Sequence, residues 1–155
     1  MKTLKQIKKG KFKFIESWQF PGEVSEFLEA EMDLWGNRRG WTHVFSGKSK
    51  IGDLRIDIDP SNEPDIAADI LELPFILGEN TQDNIVGDPP WEIPYHNRRM
   101  YSYALRDILK PGGILILNCP WSPWVKGLEV QEIWKVTQAF NSYRDLVDIW
   151  ILKKV

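Results

Sequence analysis

The stretch DNIVGDPPWEIPYHNRRMYSYALRDILKPGGILILNCP, residues 83–120, decides the fold. It opens on a short apolar run that ends in Gly87, Asp88, Pro89 and Pro90, the pattern of a buried strand stopped by a stiff turn. Met100, Tyr103, Ala104, Ile108 and Leu109 then recur at helical spacing, and Lys110-Pro111-Gly112-Gly113 reads as the stop of that helix. GGILILNCP follows as a second apolar run without alternation, which fits a strand covered on both faces. Strand, helix, strand in this order is a parallel crossover, so the fold class is α/β.

Working outward, THVFSG (42–47), DLRIDIDP (53–60) and DIAADI (65–70) are further short apolar runs whose ends carry acids, glycines and prolines. Before them, GEVSEFLEAEMDL (22–34) places Val24, Phe27, Leu28 and Met32 near helical spacing between Pro21 and Gly36, which predicts an amphipathic helix packed on the sheet. After them, LEVQEIWKVTQAF (128–140) and DLVDIWILKKV (145–155) alternate and predict an antiparallel hairpin, joined around Asn141-Ser142, at the sheet's edge.

A chain of 155 residues with 43% hydrophobic and 27% charged residues suits one compact fold and excludes intrinsic disorder. Cys119 is the only cysteine, so no internal disulfide forms, and with His43 and His96 it cannot complete a four-ligand zinc set; no metal is expected. No apolar run approaches the roughly 18 residues of a membrane span, and the expected location is the cytoplasm. The net charge of −2 conceals an asymmetry. Lys2, Lys5, Lys8, Lys9, Lys11 and Lys13 precede the first acid, Glu16, and the rest of the chain carries 14 basic against 22 acidic residues. Such a basic arm on an acidic body suits a phosphate backbone, where neutralised phosphates release counterions; a solvated terminus is the plain alternative. The division is a basic arm and helix over residues 1–40 and a single catalytic domain over 41–155.

In this order, FSG after a strand, DIDP after the next, AADILELPF, DNIVGDPPW, a helix, LKPGGILIL and a terminal hairpin, the chain resembles the class I S-adenosylmethionine-dependent methyltransferases. The tetrad Asp88-Pro89-Pro90-Trp91 is similar to that of enzymes methylating the adenine amino group. The likeness covers residues 41–155 and implies a reduced, Rossmann-like sheet, mostly parallel, with an antiparallel C-terminal hairpin. It implies S-adenosylmethionine as cofactor, held by Phe45, Ser46 and Gly47, by Asp57 at the ribose hydroxyls with Asp59 as runner-up, and by Asp69 at the adenine amine.

The tetrad has a chemical rationale. An adenine amine is a poor nucleophile because its lone pair is delocalised into the ring. The Asp88 carboxylate and the Pro89 carbonyl supply two acceptors that turn the lone pair outward, the prolines stiffen the loop, and Trp91 stacks on the base. A base reaches such a pocket only when flipped or single-stranded. Tyr95, Arg98, Arg99 and Trp121 are the neighbouring substrate-binding candidates, with Trp124 as a further wall.

The chain departs from the family pattern at the cofactor loop. The usual G-x-G-x-G loop is reduced to Phe45-Ser46-Gly47, His43 stands where relatives often carry an acid, and the connections around 48–52 and 60–65 are too short for helices. One face of the cofactor half is left bare, which suits modest affinity, or a second copy or partner subunit over that face. The expected activity is methyl transfer to adenine N6, in DNA ahead of RNA. The alternative is a degenerate, non-catalytic fold that binds nucleic acid or a partner subunit.

Overall fold

A computed structural model describes residues 12–17, 21–90, 92–138 and 147–155. Lys2 to Lys11 of the basic arm, Trp18, Trp91 and the Asn141-Ser142 turn lie outside the described residues. In chain order the elements are β1 (Phe12–Ser17), α1 (Pro21–Trp35), β2 (Trp41–Val44), β3 (Leu54–Asp57), β4 (Ile66–Ala67) and α2 (Leu73–Ile76). There follow β5 (Gln82–Gly87), α3 (Tyr95–Ile108), β6 (Leu109–Cys119), β7 (Leu128–Gln138) and β8 (Val147–Lys154). Single 3-10 turns sit at Pro60–Asn62 and Ile70–Glu72.

The eight strands form one sheet in the order β1-β7-β8-β6-β5-β2-β3-β4. Every neighbouring pair is parallel except those of β8, which runs antiparallel to both β6 and β7. The α/β class, the α1 helix, the β5-α3-β6 crossover and the antiparallel C-terminal strands are as the sequence predicts. Two details differ. The C-terminal hairpin is not the edge: β8 lies inside the sheet, and β1 pairs parallel with β7 from Phe12↔Ile133 to Ser17↔Gln138, taking the edge itself. The helix stop also comes earlier, because α3 ends at Ile108 and Lys110-Pro111-Gly112-Gly113 already belongs to β6, where the pairing with β5 shifts register.

Alternation along the strands sends side chains to two cores. On one face Val44, Ile56, Ile85, Leu115 and Leu117 pack with Leu73 and with Ala104, Leu105 and Ile108 of α3. On the other, Leu28 and Met32 of α1 pack with Trp41, Val86, Ile116, Trp134 and Ile151. Phe27 of α1 meets the Trp134 ring edge-on at 4.8 Å. Trp41 and Trp134 are thus core residues, and Trp35 and Trp150 pack against the cores from their margins.

No helix forms between β2 and β3, and only a 3-10 turn joins β3 to β4. The face left open there is closed by Arg55, whose neighbour Ile56 points into the α3 core. Its buried guanidinium donates to the carbonyls of Gly47 (3.2 Å), Asn62 (3.3 Å) and Glu63 (3.3 Å), above the short connections. His43 is buried beside it with Nδ1 3.0 Å from the Ile51 carbonyl, and burial holds its pKa below the usual value. The reading of His43 and Cys119 as core residues agrees with their burial.

Gly87, the last residue of β5, fixes how closely β2 and β6 flank the turn that follows. A Cβ there would stand 2.6 Å from Val44 Cγ2 and 3.1 Å from both the Val44 carbonyl oxygen and Leu117 Cδ2. Gly87→Ala is therefore expected to destabilise the fold by about 1–3 kcal/mol, read as a lowered midpoint in thermal denaturation.

Candidate active site

Because β2, β3, β4, β5 and β6 are parallel, their C-terminal ends share one rim, where ligands of open α/β sheets bind. The candidate residues collect there. Asp57 ends β3, Asp69 follows β4, Phe45 to Gly47 follow β2, Asp88 follows β5, and Trp121 follows β6.

Asp57 is the centre of the loop cluster after β2 and β3. Its carboxylate accepts hydrogen bonds from Gly47 N–H (2.7 Å), Asp59 N–H (2.9 Å) and the Asn62 side-chain amide (3.1 Å). Burial pushes this carboxyl upward, but the Asp59 and Gly47 amides, then Asn62 and the nearby His43, outweigh it and hold the pKa below its ordinary value. One carboxylate thus ties the ends of β2 and β3 together from one side while Arg55 ties their loops from the other. Asp59 is turned to its own backbone, accepting from Ser61 N–H at 2.9 Å as the cap of a 3-10 turn. Asp69 likewise caps Leu71 N–H through Oδ1 at 3.0 Å.

The loop after β2 carries unusual backbone. Phe45 has φ 52°, a left-handed conformation that is strained for a bulky side chain, and it is steadied by edge-on contact with the Tyr101 ring of α3 at 5.7 Å. Gly47 has φ 51°, and no atom lies within 4 Å of where its Cβ would be, so this loop faces open space at the rim.

After β5, Asp88 is exposed, Pro89 buried and Pro90 exposed. With Glu92 they line an open cavity of about 430 Å³. Asn118 Nδ2 of β6 stands 3.5 Å from Asp88 Oδ1, at the long limit of a hydrogen bond. A second cavity of about 250 Å³ lies between the start of α3 and the loop after β6, lined by Tyr95, Arg98, Arg99, Trp121 and Trp124 among others. The Arg98 guanidinium lies 4.8 Å over the Trp121 ring and donates through Nε to the Ile93 carbonyl at 2.8 Å. Cys119 is fully buried and burial pushes its thiol pKa far up, so it is no nucleophile. Among the described residues no cluster of His, Cys, Asp or Glu could hold a metal, and no helix is long and apolar enough to cross a membrane.

The structure therefore brings Gly47, Asp57 and Asp59 into one loop cluster and Asp88, Pro89 and Pro90 around one cavity. It gathers Tyr95, Arg98, Arg99 and Trp121 around the second cavity. The sequence reading missed Arg55 and Asn118. Each had a signal, since a charged or amide residue inside an apolar run, as in LRID or ILILNC, must have polar partners.

No protein-family model and no curated protein sequence matches this chain. Solved structures do. TrmN from Thermus thermophilus superposes with a TM-score of 0.66 at 19% identity, over 82% of this chain and 48% of that one, so this chain spans about half its length. A 16S rRNA (adenine(1408)-N(1))-methyltransferase from Catenulisporales acidiphilia superposes with a TM-score of 0.54 at 12% identity, over 81% of this chain and 90% of that one. The same enzyme has also been solved with cosubstrate SAM. The PH0226 protein from Pyrococcus horikoshii OT3 gives a TM-score of 0.60 at 12% identity, over 88% and 93% of the two chains. The fold is accordingly the Rossmann-like fold shared with methyltransferases.

Proposed function

We propose that this protein transfers a methyl group from S-adenosylmethionine to an exocyclic amine, with adenine N6 in nucleic acid as the favoured acceptor, DNA ahead of RNA. The observation that carries the proposal is the gathering of Asp69, Asp57, Gly47 and Asp88 along one rim, at the ends of β4, β3, β2 and β5, which are neighbours in that order. Residues 41–155 hold all of these groups, and residues 1–40 add the basic arm and α1.

The residues present fit the cofactor. A carboxylate has about four lone-pair sites, and Asp57 uses three, so a ribose hydroxyl has a place to donate. Asp69 keeps Oδ2 for a further donor, such as an adenine amine. The open space at Gly47 admits a close approach to backbone. Bound there, S-adenosylmethionine supplies a methyl group on a cationic sulfonium, which suits a rim rich in carboxylates. Asp88 then accepts from the target amine and orients it, the Pro89 carbonyl provides the second acceptor, and Trp91 offers the stacking face. A solved neighbour named as a 16S rRNA (adenine(1408)-N(1))-methyltransferase, and solved with SAM, supports methyl transfer from this cofactor; the acceptor in that name is a ring nitrogen of RNA, and the exocyclic amine rests on the Asp88 tetrad alone.

A second reading, a non-catalytic fold that holds nucleic acid, is favoured by Phe45 in a left-handed conformation, in a loop that keeps only Gly47 of the G-x-G-x-G pattern, and by the bonds Asp57 already makes within the protein. Calorimetric titration with S-adenosylmethionine, with and without an adenine-containing oligonucleotide, separates the two. Binding in either case supports the enzyme, and its absence in both supports the second reading.

The basic arm gives a separate expectation. β1 begins at the level of Leu117, since Phe12 pairs with Ile133, Ile133 with Trp150, and Trp150 with Leu117. Deleting residues 1–11 is expected to weaken oligonucleotide binding and flatten its salt dependence while leaving base preference unchanged. An unchanged slope of log affinity against log salt assigns the arm no such contact.

A further inference from the structure

The charges on the two flanks of the parallel strands are segregated. Residues 53–79, which form the β3–β4 side, carry eight acids and one base, Arg55, whose guanidinium is buried and spent on three carbonyls. Residues 92–126, which form α3, β6 and the loop after it, carry five bases against two acids. The Asp88 cavity lies between them, since β5 separates β6 from β2 and β3. A polyanion reaching that cavity meets repulsion on one side and attraction on the other.

The attractive side has an ordered surface. Tyr95, Arg99, Tyr103 and Arg106 lie along one face of α3, away from the buried Ala104, Leu105 and Ile108. Tyr95 is 79% exposed. The Tyr103 ring is held between Arg99, at 5.8 Å, and Arg106, at 4.7 Å, and Arg99 Nη2 donates to the Tyr103 hydroxyl at 3.3 Å. Arg106 pairs with Asp107 and donates to the Lys126 carbonyl at 2.9 Å, which fastens the exposed Lys126 to the same flank. Arg99 is exposed and has no carboxylate partner among the described residues. Between Arg99 and Arg106 the helix rises about 10 Å.

We infer that a single strand of nucleic acid leaves the Asp88 cavity along this face of α3, its phosphates against Arg99 and Lys126 and an unpaired base on Tyr95, while the acidic β3–β4 side closes the opposite route. The inference rests on the methyl-transfer reading of the Asp88 cavity and adds to it the path and the strandedness of the substrate. Aromatic faces stack only on unpaired bases, and arginine and lysine hold phosphates without regard to sequence.

The test is fluorescence anisotropy of the 155-residue chain with labelled 12-nucleotide adenine tracts, as single-stranded DNA, single-stranded RNA and DNA duplex, over a salt series. The double variant Arg99→Glu, Lys126→Glu is expected to weaken single-strand binding at least about tenfold and to flatten the salt slope. Tyr95→Ala should weaken the single strands several-fold and leave the duplex unchanged. Arg38→Glu with Arg39→Glu, exposed arginines at the far end of the strands, is the charge-matched control and should change little. The two single-strand arms distinguish DNA from RNA. Equal weakening by the control, unchanged affinity in the Arg99 and Lys126 variant, or no oligonucleotide binding by the wild type overturns the inference. Calorimetry with S-adenosylmethionine on the same proteins keeps the two readings apart. Retained cofactor binding leaves the methyltransferase reading standing when the path fails, and absent cofactor binding in the wild type removes that reading instead.

Discussion

Asp88→Ala is expected to reduce methyl transfer by roughly 10²–10³-fold or more, because a group that holds the reacting centre acts mainly in the transition state. Cofactor affinity should stay nearly the same, since the partner proposed for Asp88 is the substrate amine. Asp88→Asn should fall between, keeping one acceptor oxygen but losing the charge that strengthens the hydrogen bond. Asn118 stands against Asp88 Oδ1, so both variants keep a neighbour able to approach the turn. If Asp88 served only the turn between β5 and α3, the order would reverse: activity would persist in Asp88→Ala and the denaturation midpoint would drop. Turnover, calorimetry and thermal unfolding on the same proteins decide between these patterns.

Asp57→Ala has the second-largest expected effect, and it falls on binding and stability together. It removes the acceptor for Gly47 N–H, Asp59 N–H and the Asn62 amide. The loss of several charge-assisted bonds should cost at least about 3 kcal/mol of stability, and cofactor affinity should fall by about tenfold or more. Asp57→Asn is the milder probe, and its pH dependence carries a sign. The folded-state pKa of Asp57 is lowered, so the stabilisation from its charge is complete above the unfolded value of about 4 and fades as pH falls through the lowered one. The stability difference between wild type and Asp57→Asn should therefore be widest near neutral pH and close in acid. A difference that is constant from neutral to acid pH contradicts the ionised role of Asp57.

Most of the parallel sheet was legible because its strands are uniform apolar runs that end in turn chemistry, as in LRIDIDP and NIVGDPP, and because α3 has a clean helical stripe. Strand β1 was not legible. FKFIES is short, lies within the lysine-rich arm, and pairs at the sheet's edge, where lysine is favoured and burial leaves little pattern. The position of β8 inside the sheet was hidden for another reason: a hairpin's pattern fixes which strands pair with each other, not which of them meets β6. Of the site, the acids at the strand ends were legible as residue types, and their division of labour was not. Asp57 binds two donors of its own loop and one of the loop after β2, Asp59 and Asp69 cap 3-10 turns, and only the folded structure shows which oxygen is left for a ligand. The charge segregation was present in the sequence, but it acquires meaning once the topology places residues 53–79 and 92–126 on opposite sides of Asp88.

The measurement that bears most directly on the central claim uses S-adenosylmethionine labelled in its methyl group. The protein is incubated with it and with single-stranded DNA, duplex DNA or RNA, and the nucleic acid is digested to nucleosides. The account predicts label in N6-methyladenine nucleoside, greatest from a single-stranded substrate and lost with Asp88→Ala. Label on another base, or none in any nucleic acid from a wild-type protein that binds S-adenosylmethionine, contradicts it.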